Sequence, residues 1–215
     1  MSRRAAMMGR REPPAREAPR EKARAPRAAA PKRPAALAQQ KARLLEIIKQ
    51  KSLLLGKFKL VSGAVSNYYL DMKPTMFDPE GAHLVAELVF DLVKDEQVDA
   101  IGGLELGAVP IIVAVCARSW HGCPVAGFVV RKEIKDHGTE RKIDGNFKPG
   151  STVILFDDVT TKGGSVMQAV AAVRGRGARV KSIITLVDRL EGAEENLGKE
   201  GLALIALYTT RDLLG

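Results

Sequence analysis

Residues 153–165, V-I-L-F-D-D-V-T-T-K-G-G-S, constrain the fold of this chain more than any other stretch. The apolar run Val153–Phe156 predicts a short buried strand, and Asp157 and Asp158 follow it directly. A turn rich in Thr, Gly and Ser comes next, and a helical pattern begins at Ser165. Two acids and several free main-chain N–H groups are therefore expected at the carboxyl end of a parallel strand, where open α/β sheets bind ligands.

The chemistry of this stretch suits a phosphorylated sugar. The turn from Thr160 to Ser165 can place N–H groups and hydroxyls around a phosphate at the N-terminus of a helix. Carboxylates such as Asp157 and Asp158 suit sugar hydroxyls or a hydrated divalent cation. An ordinary strand-to-helix connection is the alternative interpretation. The chain contains no G-x-x-x-x-G-K-[ST] sequence, which excludes a Walker-type phosphate loop.

Strands alternate with helices through most of the chain. Apolar residues from Leu44 to Ile48 predict an amphipathic helix up to about Leu55, and Asp78 with Pro79 predicts the start of a helix through about Val93. Further helices are predicted at 108–119, 164–175 and 191–198, and extended segments at 58–61, 68–72, 98–103, 125–131, 152–157, 180–187 and 202–208. This alternation favours an α/β fold with a parallel sheet. The first helix and the first extended pair would form a small hood over its carboxyl edge.

The positive charge of the chain belongs to its N-terminal segment. The formal net charge is +9, which invites a nucleic-acid interpretation. Residues 1–43 hold 13 Lys/Arg and 3 Glu, whereas the remaining 172 residues hold 21 basic and 22 acidic groups. Residues 1–36 are rich in Ala, Pro and Arg with few large apolar side chains, so we expect a disordered extension ahead of one domain at 37–215. A transit peptide, a polyanion-binding arm and a simple solvated extension stay open for this segment.

Other composition features exclude several classes of protein. No apolar run approaches the roughly 20 residues of a membrane span, and no apolar stretch of a secretory signal follows the N-terminal charges. Cys116 and Cys123 have neither metal-type nor redox-type spacing, as expected of a reduced cytoplasmic protein.

A long charged connection follows the strand predicted at 125–131. Residues 132–149 contain little apolar content, and such connections are either functional lids or mobile insertions. Arg131, Lys132, Lys135 and His137 could converge on a diphosphate. A solvated charge run is the alternative.

The end of the strand predicted at 180–187 offers a second cation. Asp188 and Arg189 would reach the same sheet edge as Asp157, and the planar fork of an arginine suits bidentate capture of a carboxylate or an imide edge. An ion pair of Arg189 with Glu191 or Glu194 is the alternative.

Four motifs of this chain resemble the type I phosphoribosyltransferases, and among them the orotate phosphoribosyltransferase family. Residues 157–165 match the phosphoribosyl diphosphate (PRPP) signature D-D-V-x-T-x-G-x-S in full. Residues 131–138, R-K-E-I-K-D-H-G, resemble that family's catalytic loop, and residues 187–192 match V-D-R-x-E-G. Residues 58–71 resemble the segment F-x-L-x-S-G-x-x-S-x-Y-Y-x-D, which covers the base pocket. The matches occur in the family's order.

The chain departs from the family at two places. Some members carry a Lys where this chain has Val61, and some carry a Lys in the diphosphate loop that reads G-G-L-E-L-G-A-V-P at 102–110. Whether Lys59 or Lys73 supplies the missing cation stays open, and main-chain amides near Gly107 remain available to the diphosphate.

The resemblance implies the type I phosphoribosyltransferase fold, a central mostly parallel sheet flanked by helices with a small N-terminal hood. It implies Mg²⁺-dependent transfer of ribose 5-phosphate from PRPP to orotate, with Mg²⁺ held mainly through PRPP and by Asp158. The implied catalytic residues are Lys135, His137 and Asp158, and the implied orotate-binding residues are Thr161, Arg189 and Tyr69. The implied PRPP-binding residues are Arg131, Lys132, Lys135, His137, Asp157, Asp158, Val159, Thr160, Thr161, Lys162, Gly163, Gly164 and Ser165.

The resemblance also implies a homodimer, because in this family the loop closes over the active site of the neighbouring subunit. A membrane or nucleic-acid partner is not expected. Two other functions stay open: a transferase for another base, and a PRPP-binding transcriptional regulator of the same fold. Removing residues 1–36 would separate the second from an enzyme, because a nucleic-acid regulator would lose its partner.

Overall fold

The computed structural model describes residues 33–59, 65–133 and 142–215. In chain order the elements are α1 (Arg33–Lys51), β1 (Leu53–Lys59), β2 (Val65–Leu70), α2 (Lys73–Met76), α3 (Pro79–Val93), β3 (Ala100–Gly103), α4 (Ala108–Ser119), β4 (Ala126–Val130), β5 (Ile143–Gly145), β6 (Thr152–Thr160), α5 (Gly164–Arg174), β7 (Arg179–Asp188), α6 (Ala193–Gly198), β8 (Leu204–Thr209) and α7 (Thr210–Leu214).

Six strands form the central sheet in the order β5-β4-β3-β6-β7-β8. All neighbouring pairs are parallel except β4 and β5. Successive residues of β6 point to opposite faces: Ile154 and Phe156 join the core under α1, α3 and α4, while Val153 and Leu155 join the core under α5. The expected parallel α/β sheet flanked by helices is confirmed.

The hood predicted ahead of the sheet consists of α1 and the antiparallel hairpin β1–β2. Helix α1 begins at Arg33, four residues before the expected domain start, and the expectation for residues 1–32 lies outside the described residues. The helix ends at Lys51 rather than near Leu55, because the Ser52 hydroxyl bonds to the Thr75 hydroxyl at 2.6 Å in the buried interior and the chain then turns into β1. No helix in the described part of the chain is long and apolar enough to cross a membrane.

The predicted start of α3 is confirmed. The Asp78 carboxylate accepts hydrogen bonds from the N–H groups of Glu80 and Gly81 at 3.1 and 3.0 Å, and Pro79 occupies the first helical position. Helix α4 has the predicted limits, Ala108–Ser119.

Sequence patterns missed three short elements, α2, β5 and α7. Each is three to five residues long and too short to show a period. Strand β6 also runs past Asp157 to Thr160, because Val159 and Thr160 pair with Val187 and Asp188 of β7. The two acids therefore lie within the paired part of β6, near its carboxyl end, rather than after the strand.

Candidate active site

Two neighbouring carboxylates lie near the carboxyl end of β6, at the centre of the sheet. The Asp157 side chain is buried, at 8% exposure, and Asp158 is half-buried. The Thr160 hydroxyl lies 3.4 Å from Asp157 Oδ2 and is oriented to donate to it. Neighbouring strands on both sides hold β6, so the backbone that carries the acids is fixed before any ligand arrives.

Burial changes the acidity of both groups. Desolvation, with the charge of Asp158 as the second cause, raises the pKa of Asp157 to about 7. Desolvation also raises the pKa of Asp158, against main-chain hydrogen bonds and the charge of Lys73, which act in the opposite direction. The pair is therefore a site of unfavourable negative charge, and it would gain from a cation or from hydroxyl donors.

The loop after β3 packs directly against Asp158. A Cβ atom placed on Gly107 would lie 2.3 Å from Asp158 Oδ1, so only glycine fits this position without displacing the carboxylate. This is the loop expected to hold the diphosphate through main-chain amides. Its contact with Asp158 brings the predicted diphosphate and ribose sites side by side.

On the hood side, Lys73 and Asp71 lie close enough to Asp158 to influence its pKa. The charge of Lys73 lowers this pKa and the charge of Asp71 raises it. Lys73 Nζ lies 2.6 Å from Asp71 Oδ1, and its main-chain N–H donates to the same oxygen at 3.0 Å. Lys73 was one of two open candidates for the cation that this chain lacks at position 61. The charge of Lys73 acts on Asp158, whereas no described contact joins Lys59 to the acids. Which lysine supplies the cation stays a prediction.

The turn after β6 has the form of an anion-binding helix start. Gly163 adopts φ +84° directly before α5, a backbone conformation that favours glycine. The amide of Asn196 donates to the carbonyl of Lys162 at 3.0 Å and fixes the turn from outside. Gly164 and Ser165 are exposed in the first turn, where helical N–H groups have no intrahelical acceptor. This arrangement suits a phosphate.

Arg189, at the end of β7, contacts the hood. Its Nε donates to the Tyr68 hydroxyl at 3.0 Å, and its guanidinium lies 4.7 Å from the centroid of the Tyr68 ring. Glu191 Oε1 lies 2.9 Å from the same nitrogen, so the ion pair considered as an alternative from the sequence is present. This ion pair uses one edge of the guanidinium and leaves the fork of terminal amino groups for another acceptor.

Tyr69, the predicted base-binding aromatic, lies on the other face of β2. Its ring packs on Phe58 with centroids 5.6 Å apart, and its side chain is 42% exposed. Arg189 thus contacts Tyr68, while the contact of Tyr69 with the base stays a prediction. The alternation of side chains along a strand predicts that adjacent tyrosines lie on opposite faces, but it does not predict which of them faces Arg189.

The charged connection is only partly described. The Arg131 guanidinium pairs with Asp144 of β5, and the Lys132 N–H donates to Glu105 Oε1 at 2.9 Å. Lys132 is exposed beside the diphosphate loop. Lys135 and His137 lie outside the described residues. Glu105, which sequence reasoning did not single out, therefore joins the root of this connection to the diphosphate loop.

Carboxylate oxygens are suitable donors for Mg²⁺, but they are few here. Within the described ranges, no group of three or more His, Cys, Asp or Glu side chains could hold a metal ion. Mg²⁺ commonly binds through one or two carboxylates together with water and substrate phosphates. Asp157 and Asp158 fit a Mg²⁺ ion that also binds water and substrate phosphates, rather than an ion whose ligands all come from the protein.

Comparisons with known proteins agree with this geometry. The phosphoribosyl transferase domain family matches residues 76–202. The orotate phosphoribosyltransferase of Bradyrhizobium sp. (strain BTAi1) is 48% identical over 179 residues, which cover 81% of this chain and 97% of that protein. A crystal structure of Mycobacterium tuberculosis orotate phosphoribosyltransferase has 35% identity and a TM-score of 0.72 over 81% of this chain and 98% of that one. Another crystal structure of the M. tuberculosis protein, in complex with PRPP, has 30% identity and a TM-score of 0.66 over 81% and 92% of the two chains.

Proposed function

The chain belongs to the orotate phosphoribosyltransferase family of glycosyltransferases, and on that premise we propose that it makes orotidine 5′-monophosphate in de novo pyrimidine (UMP) biosynthesis. In the proposed reaction, ribose 5-phosphate passes from PRPP to orotate with the help of Mg²⁺, and diphosphate leaves. We place the reaction in the cytoplasm, in keeping with the two cysteines, which are unpaired. The observation that carries the proposal is the placement of the acid pair, the helix start of α5 and Arg189 along one edge of the sheet.

The reaction is a displacement at the anomeric carbon of ribose. The bond from N1 of orotate to that carbon forms, the bond from the carbon to the diphosphate oxygen breaks, and the N1 proton ends on the departing diphosphate. Positive charge develops on the ribose ring and negative charge on the departing diphosphate, so positioning and charge stabilisation can carry the catalysis.

Each part of the site has a role in this reaction. The first turn of α5 and the residues from Val159 to Ser165 would hold the 5′-phosphate. Asp157 and Asp158 would accept hydrogen bonds from the ribose hydroxyls, and their charge would favour the developing positive ring. Mg²⁺, held mainly by PRPP with Asp158 nearby, would neutralise the diphosphate oxygens. Arg189 would bind the orotate carboxylate, with Thr161 beside the base.

The charged connection would supply the remaining cations. Arg131 and Lys132 stand at its root, and Lys135 or His137 would donate a hydrogen bond or a proton to the leaving diphosphate. Two unit charges ~4 Å apart attract by about 1 kcal/mol in bulk water but by about 4 kcal/mol at an effective dielectric constant of 20. A closed loop that excludes water would therefore strengthen the attraction between each loop cation and the diphosphate.

We further propose a homodimer with shared active sites. The connection leaves the sheet between β4 and β5, at the edge, while the acids lie on β6 near the centre. Beside its root, an apolar groove of about 580 Å³ lies between α4 and these edge strands, with Val113 62% exposed. A second copy seated in this groove would cover apolar surface and bring its own loop close to the neighbouring site.

Mixing two inactive variants tests the shared sites. Lys135→Ala and Asp158→Asn would each inactivate a different part of the site. Equal mixing would form heterodimers with one intact site, and about a quarter of the wild-type activity would return. A mixture with no recovery, or a monomer in light scattering, would refute the sharing.

The first test of the reaction is the loss of orotate absorbance with PRPP and Mg²⁺, run beside uracil and hypoxanthine. Consumption of orotate alone would support the proposal, and consumption of another base would point to a different transferase. Binding of PRPP without consumption of any base would favour the regulator. A protein lacking residues 1–32 keeps α1 intact and is expected to retain the activity, since no nucleic-acid partner is required.

A further inference from the structure

The contact between Tyr68 and Arg189 joins the hood to the sheet. The two residues are 121 positions apart, one on β2 and the other after β7. The ring of Tyr68 covers one face of the guanidinium at 4.7 Å, while its hydroxyl accepts from Nε at 3.0 Å. A guanidinium that both packs on a ring and donates a hydrogen bond cannot turn about the last side-chain torsion angles without losing one of the two contacts.

The main chain of Arg189 is fixed as well. Its N–H donates to the carbonyl of Thr160 at 2.9 Å, and its own carbonyl accepts from the Thr210 hydroxyl at 3.2 Å. The buried Asp188 carboxylate accepts from the N–H of Leu190 at 2.9 Å, which holds the turn after β7. Both ends of the Arg189 side chain are thus held by the fold.

The polar contacts of the Arg189 guanidinium engage only its Nε edge. Tyr68 and Glu191 both meet Nε. Within the described ranges, the two terminal amino groups make no hydrogen bond, although the side chain is only 11% exposed. These two amino groups keep access to solvent, since Ser151 Oγ is the one buried side-chain polar atom without a partner in the described part of the chain. A planar pair of such available donors matches a carboxylate.

We propose that Tyr68 is a positioning residue that orients Arg189 towards the carboxylate of orotate and thereby selects orotate over uracil. This inference rests on the proposed transferase function. Uracil lacks the carboxylate, so a correctly aimed Arg189 would lose its acceptor with uracil. Glu191 assists through its ion pair at the same nitrogen, 2.9 Å from Nε, so that the free fork stays directed at the base pocket.

Two substitutions of Tyr68 separate its hydroxyl from its ring. Tyr68→Phe keeps the stacking and removes the hydrogen bond, and we expect it to raise the KM for orotate about three- to tenfold. Tyr68→Leu removes both contacts and should raise this KM about 30- to 100-fold. The KM for PRPP should stay within about twofold of wild type, because the PRPP site lies on β6 and α5. The ratio of kcat/KM for orotate to kcat/KM for uracil should fall in Tyr68→Phe and fall further in Tyr68→Leu.

Tyr208 provides a matched control. Its hydroxyl donates to the carbonyl of Lys41 at 2.7 Å, and the Lys41 ammonium lies 5.6 Å from its ring, so Tyr208→Phe also removes one hydroxyl beside a cation. This variant should lower thermal stability and leave the KM for orotate unchanged.

The outcomes are distinguishable. A wild-type protein that does not consume orotate would refute the proposed function itself. An active wild type with an unchanged orotate KM in both Tyr68 variants would overturn the positioning role. A parallel rise of both KM values with lower thermal stability would also overturn it, because Tyr68 would then only support the fold.

Discussion

The main-chain N–H of Arg189 donates a 2.9 Å hydrogen bond to the carbonyl of Thr160. Thr160 is the last residue of the strand that carries the two acids, and Arg189 is the first residue after the neighbouring strand. This hydrogen bond extends the parallel pairing of the two strands, which sets the spacing between the proposed ribose site and the proposed base site. Because both strands are buried, this spacing is a property of the sheet.

Arg189→Lys is expected to impair orotate binding selectively. Lysine keeps the charge but lacks both Nε, which meets Tyr68, and the planar fork that binds a carboxylate at two points. The KM for orotate should rise more than about tenfold. Initial rates at varied orotate and saturating PRPP measure this effect. An equal rise of the KM for PRPP would instead indicate a general disturbance of the sheet edge.

The raised pKa of Asp157 predicts how stability depends on pH. The folded pKa, about 7, lies above the ordinary value of 3.8, so the folded protein binds more protons than the unfolded chain between these values. The contribution of this group is fully present below about pH 4 and is lost as the pH rises through 7, by at most ~4 kcal/mol. Denaturant unfolding of the ligand-free protein at pH 5 and pH 8 measures it.

Asp157→Asn removes this titration while keeping the size of the side chain. We expect the difference in unfolding free energy between pH 5 and pH 8 to shrink in the variant. Asp158 retains its own raised pKa and acts in the same direction, so a smaller difference should remain. A difference equal to that of the wild type would mean that Asp157 does not titrate in this range.

Gly107→Ala should disturb the acid pair from outside. Its Cβ would lie 2.3 Å from Asp158 Oδ1, so either the carboxylate or the diphosphate loop must move. We expect kcat/KM for PRPP to fall more than about tenfold, because misplaced charge stabilisation costs rate steeply. Gly198→Ala is the matched control, since its Cβ would meet nothing within 4 Å. Comparable losses in both variants would contradict the packing argument.

The sequence predicted the parallel sheet, the acid pair and Arg189 because each belongs to a local pattern. The buried run before Asp157 and the cap at Asp78 depend on neighbours within a few positions. The role of Tyr68 depends on a contact across 121 positions. The role of Gly107, in the loop after β3, depends on its packing against the Asp158 carboxylate of β6. No local pattern encodes such contacts. The paired tyrosines show the limit, since only the register of β2 decides which of them faces Arg189.

Mg²⁺ is expected to bind to the protein only together with PRPP. Within the described residues, no cluster of three potential ligands is present, and the carboxylates of Asp157 and Asp158 are too few for a tight site. Titration calorimetry should show no Mg²⁺ binding to the free protein at micromolar concentrations, and binding once PRPP is added. A chelator should abolish the reaction, and added Mg²⁺ should restore it. Tight binding to the free protein would contradict the proposed division of ligands.

Lys135→Ala should lower turnover by more than about tenfold while PRPP binding partly survives. The 5′-phosphate and ribose sites lie on β6 and α5 and do not need the charged connection, whereas the leaving diphosphate would lose a cation where charge develops. Pre-steady-state rates and the dissociation constant for PRPP separate these effects. Lys148→Ala is the control, because Lys148 is exposed and its carbonyl accepts from Ser151 just before β6, at the opposite end of that strand. Unchanged turnover in Lys135→Ala would refute the assigned role, and equal losses in both variants would reduce the effect to net charge.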